Sequence, residues 1–99
     1  MVVSVVRFKS ALSDEEVQAK FEARADAYEH VPGLLEKLYL RYREAGEHGA
    51  VYVWESENAF DAFRRSELGS SIPDAYRIEG TMETKLADVT LVVQPSLTK

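Results

Sequence analysis

The stretch from Leu34 to Arg43, LLEKLYLRYR, alternates in two registers at once. One register holds Leu34, Glu36, Leu38, Leu40 and Tyr42; the other holds Leu35, Lys37, Tyr39, Arg41 and Arg43. Successive strand residues point to opposite faces, so apolar bulk in both registers predicts a strand covered on both sides. Glu44-Ala45-Gly46-Glu47-His48-Gly49 is polar and glycine-bearing and reads as a hairpin loop. Ala50-Val51-Tyr52-Val53-Trp54 returns as a strand, with Val51 and Val53 on one face and Tyr52 and Trp54 on the other. A hairpin therefore sits at the centre of the chain.

The flanking segments complete the pattern on either side of it, with no internal sequence repeat. Upstream, Val2 to Phe8 is β-branched and alternating, hence a strand. Ser13-Asp14-Glu15-Glu16 is a capping box, with Leu12 and Val17 placed as a hydrophobic staple. Val17, Phe21, Ala25 and Tyr28 then recur at helical spacing until Val31-Pro32-Gly33 stops the helix. Downstream, Ser56 caps a second helix carrying Ala59, Phe60, Ala62 and Phe63 and ending near Gly69. Ser71-Ile72-Pro73-Asp74 opens one further turn reaching about Tyr76, and Gly80 marks a bend. A long strand is expected from Met82 to Gln94, ending in Val89-Thr90-Leu91-Val92-Val93; Pro95 closes it and the last residues fray.

The order β-α-β-β-α-β is the ferredoxin-like plan, an α+β domain over residues 1–99 with two helices on one face of an antiparallel sheet. Such a sheet leaves its other face open, and here that face carries valine, leucine and aromatic residues. A second copy packed against it, a homodimer, is the simplest cover.

Composition narrows the function. Twelve Lys and Arg against 17 Asp and Glu give a net charge of −5, which argues against nucleic acid and against anionic membrane surfaces. No apolar run has the length of a transmembrane helix, and the N-terminus lacks the pattern of a signal peptide, so a cytoplasmic protein is expected. The absence of Cys removes disulfides and thiolate chemistry, and His30 and His48 alone make a poor metal cage.

The run Gly33-Leu34-Leu35 through Val51-Tyr52-Val53-Trp54-Glu55-Ser56, followed by Ala59-Phe60, resembles the dimeric α+β barrel superfamily of antibiotic-biosynthesis monooxygenases, most closely the YdhR-type group. The resemblance implies two protomers pairing their sheets into one barrel, with a ligand pocket in each between sheet and helices. It also implies cofactor-free oxygenation of a small phenol or hydroquinone-like substrate, with no cofactor and no metal. Relatives line that pocket with Asn, Trp, Tyr and Arg. Trp54 carries over; the Asn does not, since Asn58 lies in the second helix, and Phe60 has no hydroxyl. The haem-degrading branch uses a helix His as iron ligand, and Glu57 to Leu68 contains none.

The expected site has Trp54, Tyr52 and Arg41 as catalytic residues and Tyr39, Phe60, Phe63 and Tyr76 as substrate-binding ones. Trp54 with Tyr52 and Tyr39 could cradle a planar ligand, although filling the core is the commoner fate of strand aromatics. Arg41 could hold developing phenolate charge, or it could pair with a surface acid. Tyr76 could close a pocket mouth. His48 could act as a base, but its place in the hairpin predicts a solvated turn residue. Two functions stay open: a cofactor-independent monooxygenase, or a dimer that binds a small ligand without turnover, with an isomerase on the same pocket a further variant of the first.

Overall fold

Four antiparallel strands in the order β2-β3-β1-β4 form one sheet. They are β1 (Val2–Ser10), β2 (Leu34–Arg41), β3 (Glu47–Trp54) and β4 (Ile78–Asp88); the helices are α1 (Asp14–Tyr28), α2 (Glu57–Arg65), α3 (Glu67–Ser70) and α4 (Ile72–Ala75). This is the arrangement of a computed structural model, which describes residues 1–95. The ferredoxin-like α+β plan holds.

Local chemistry sets the boundaries. Ser13 Oγ accepts the Glu16 N–H at 3.1 Å, and Glu16 Oε1 accepts the Ser13 N–H at 2.9 Å, so the capping box closes and α1 starts at Asp14. Gly33, at φ 78°, turns the chain into β2, and a Cβ there would strike Ala59. Ser66 ends α2 by starting α3, earlier than the expected stop near Gly69; its Oγ accepts the Gly69 N–H at 3.1 Å.

The inward row of β1 (Val2, Ser4, Val6, Phe8) lies beside that of β3 (His48, Ala50, Tyr52, Trp54), and all eight are buried. Val17, Phe21 and Tyr28 of α1, Phe63 of α2, Ile72 of α4 and Tyr76 close over them. Burying large apolar side chains at about 25 cal/mol per Å² is what holds the helices to the sheet.

Three strand expectations need correction. First, β2 ends at Arg41, not at Arg43, and is an edge strand of the sheet. Its two registers also mix. Leu34 pairs with Trp54 and Glu36 with Val53, so Leu35 is an extra residue at a bulge. Leu34 thereby shares the inward face with Lys37, Tyr39 and Arg41, while Leu35 stands 56% exposed. Second, β3 begins at Glu47, which takes His48 out of the turn and buries it. Third, the last strand runs from Ile78 to Asp88 and not from Met82 to Gln94. Its ladder along β1 finishes with the Val89 N–H on the Met1 carbonyl at 3.0 Å; Leu91, Val92 and Val93 have no strand beside them and are exposed. Gly80, at φ 73°, accompanies the irregularity that shifts the β1–β4 register between Arg7 and Lys9. The fraying of the last residues concerns positions outside those described.

The sheet face away from the helices carries Val3, Val5, Val51, Val53, Leu38 and Leu40. At one end Arg7 donates to Glu44 and Glu47 at 2.8 Å each and lies over the Tyr42 ring. Among the described residues no helix is long and apolar enough to cross a membrane.

Candidate functional site

The helix-side face of the sheet is aromatic along its whole length, and its polar groups meet two different fates. At the Trp54 end the indole N–H donates to Ser4 Oγ at 2.9 Å, and the ring stacks on Tyr52 at 5.7 Å with an interplanar angle of 5°. Trp54 is wholly buried, and every polar atom it owns is satisfied.

Lys37 occupies the opposite situation. The β2 bulge turns it inward, where its Nζ lies 3.2 Å from the centroid of the Tyr28 ring, 4.3 Å from Tyr39 and 4.7 Å from Tyr52. No carboxylate comes within ion-pair distance of it among the described residues. Burial, with a smaller push from the Arg24 guanidinium, lowers its pKa from 10.5 to about 7. The ring faces act the other way, since each attracts the ammonium form.

Around Lys37 the hydroxyls of Tyr28, Tyr39 and Tyr76 are buried and have no hydrogen-bond partner, and neither has Arg24 Nε. Burial raises Tyr39 and Tyr76 to about 12 and Tyr52 further still, so these phenols stay protonated donors at neutral pH. Several buried donors with no acceptor are uncommon, because each unpaired group costs about 1–3 kcal/mol. Tyr28, Tyr39 and Tyr76, though not Arg24, line a mainly apolar chamber of about 10 Å³, bounded also by Phe21, Ala50 and Ile72, with room for a single water-sized group.

Two larger spaces adjoin this chamber. A cavity of about 410 Å³ lies between β1, β4 and the α2–α4 segment, lined by Tyr52, Phe60, Phe63, Met82 and Leu86, with Ser4, Thr84 and Arg64 as its polar contacts. It shares Val6, Tyr52 and Ile72 with the chamber. On the other side a cleft of about 310 Å³ between α1 and β2 shares Tyr28, Lys37 and Tyr39 with it. A third, more polar cleft of about 600 Å³ lies over the first turns of α1 and contains Arg41, His48, Asp14 and Tyr39. There His48 Nε2 lies 3.1 Å from Asp14 Oδ1, so the buried imidazole is tied to the helix start.

The expected site residues are therefore divided. Tyr52, Phe60 and Phe63 meet at one cavity. Tyr39 and Tyr76 meet Tyr52 only at the chamber, and Tyr76 is packed between Phe8 and Phe21 at 5.5 and 5.3 Å, not poised at a mouth. Arg41 lies in the separate polar cleft, and Trp54 walls none of these spaces. Lys37 and Tyr28 were not singled out in the sequence. For Lys37 the only signal was its register with Tyr39, which the bulge at Leu35 hides from a simple alternation. For Tyr28 it was the apolar stripe of α1 itself. Among the described residues no group of three or more His, Cys, Asp or Glu could hold a metal, and α2 has no His to offer a haem.

No family profile matches the sequence, and no curated protein matches it. Solved structures do. SnoaB, a cofactor-independent oxygenase from Streptomyces nogalater, superposes with a TM-score of 0.74 at 22% identity, over 95% of this chain and 97% of that one. A mutant of MhuD with two manganese protoporphyrin IX bound per active site gives 0.75 at 24% identity, over 96% and 100%. The monooxygenase ActVA-Orf6 of Streptomyces coelicolor, in complex with nanaomycin D, gives 0.73 at 19% identity, over 96% and 92%. The fold is that of the antibiotic-biosynthesis monooxygenases, as the 33–60 resemblance implied; the YdhR-type group is not distinguished within it.

Proposed function

We propose that the chain is a cytoplasmic, homodimeric, cofactor-independent monooxygenase acting on a small aromatic substrate. The observation that carries this reading is the 410 Å³ cavity walled by Tyr52, Phe60 and Phe63, which backs onto a chamber of unpartnered hydrogen-bond donors. Ligand sites are typically apolar hollows of this size with a few convergent polar groups. The ring is held by the aromatic walls; the donors hold its oxygen. Ionised, such a phenol or hydroquinone supplies the electrons itself: one oxygen atom of O₂ enters the ring carbon and the other leaves as water. The protein's part is to bind, orient and stabilise the anion. SnoaB and ActVA-Orf6, oxygenases of the same fold, support the reading.

The dimer part rests on the bare face of Val3, Val5, Val51, Val53, Leu38 and Leu40, whose burial against a second copy removes an exposed apolar patch. Light scattering is expected to report about twice 11.2 kDa. For the activity, dihydroxyaromatic compounds should consume O₂ with purified protein and a chelator present. If a panel of phenols binds but O₂ is untouched, the oxygenase reading fails and the protein is a ligand-binding dimer.

A further inference from the structure

We infer that Lys37 is the proton acceptor for the acidic hydroxyl of the bound ligand, and that the Tyr28 and Tyr39 hydroxyls hold the oxyanion this leaves. The inference rests on the proposed aromatic substrate and adds the residues that ionise it. Its basis is geometric. Three ring faces pack against the Lys37 amine and no carboxylate neutralises it, while the only unpartnered buried hydroxyls described lie around the same small chamber. Each of these hydroxyls can donate to an oxyanion, and Lys37 is the one basic group among them. The chamber's volume suits one oxygen atom, and only the side chains of Val6, Tyr52 and Ile72, common to both linings, separate it from the 410 Å³ cavity.

The step balances without any co-reactant. The ligand O–H proton moves to Lys37 Nζ, the electron pair stays on the ligand oxygen, and an ammonium–phenolate pair replaces two neutral groups. Both products are favoured where they form: the ammonium by the ring faces, the phenolate by the tyrosine O–H groups and the ammonium. The charged and titratable groups facing Lys37 are Arg24, Tyr28 and Glu29 from α1, Glu36 and Tyr39 on its own strand, Tyr52 from β3 and Tyr76 after α4. With the lysine pKa lowered by burial, an amine able to accept the proton is present near neutrality.

The test uses 4-nitrophenol, whose phenolate absorbs visible light and whose neutral form does not. Titrated with the intact protein, the bound ligand should ionise at a pH lower than free ligand by about one unit or more, a tenfold change in the phenolate-to-phenol ratio. Lys37→Met should abolish that shift, and Tyr28→Phe should reduce it. Lys85→Gln, which removes an exposed cation that lines neither the cavity nor the chamber, should leave it in place. Unshifted ionisation in the unaltered protein overturns the inference, as does a shift that survives Lys37→Met or vanishes in Lys85→Gln. If Lys37→Met does not fold, Tyr28→Phe decides, with an unchanged shift counting against the inference. Absorbance reads proton transfer and not oxygen. Protein that ionises the ligand without consuming O₂ keeps this inference and loses the oxygenase; O₂ consumption undiminished in Lys37→Met does the reverse.

Discussion

Two aromatic clusters share one face of the sheet and differ in how their polar atoms end. Around Trp54 the rings of Tyr52, Phe60 and Phe63 pack at 5.3–6.2 Å and the single donor finds Ser4. Around Lys37 the rings of Tyr28, Tyr39 and Tyr52 are as dense, yet the hydroxyls of Tyr28, Tyr39 and Tyr76 find no partner. Packing alone cannot tell the clusters apart; hydrogen-bond satisfaction does. The Trp54 cluster is closed by its own polar partner, while the Lys37 cluster keeps hydroxyls that the described residues do not pair.

The contrast can be broken most forcefully at Trp54. Trp54→Ala should lower unfolding free energy by about 3–5 kcal/mol, read from the denaturant midpoint, since it empties the best-packed site of the core. Ser4→Ala, which strands the indole N–H, should cost about 1–3 kcal/mol in the same measurement. Ligand ionisation should survive Trp54→Ala wherever the fold does, because Trp54 lines neither the cavity nor the chamber.

Lys37→Met should be the mildest at high pH and can stabilise at neutral pH, where it removes a desolvated charge of similar length. The sign follows from proton binding. Below about 7 the lysine is charged in both folded and unfolded chains and the burial penalty is borne in full. Between about 7 and 10.5 the unfolded chain binds more protons, so stability rises with pH; above that window the contribution is flat. Chemical denaturation at stepped pH should show this rise in the unaltered protein and its disappearance in Lys37→Met. A rise of equal size in both would remove the lysine from the account.

Most of the fold was legible because the relevant signals are local. Alternation wrote β1 and β3, Ser13 and Glu16 wrote the start of α1, and Ser56 wrote that of α2. The failures share a physical cause, dependence on a neighbour. Val89–Val93 has every intrinsic mark of a strand, but beyond Val89 no described strand lies alongside to bond it. His48 follows two glutamates and a glycine that suggest a turn, and only its pairing with Arg41 and Phe8 draws it into the sheet. The site was half legible. Tyr52, Phe60 and Phe63 follow from period and spacing, whereas Lys37 is inward because one inserted residue at Leu35 changes the phase of β2. No periodicity count reveals an insertion.

Trp54 has one more consequence, an optical one. It is the only tryptophan in the chain, fully shielded from water, and its ring plane is nearly parallel to that of Tyr52. Tyr52 in turn forms a wall of both the cavity and the chamber. The molecule thus carries a single internal indole one ring removed from the 410 Å³ cavity. Its emission should be that of an indole in an apolar solvent. A coloured guest would dim it by energy transfer without ever touching it.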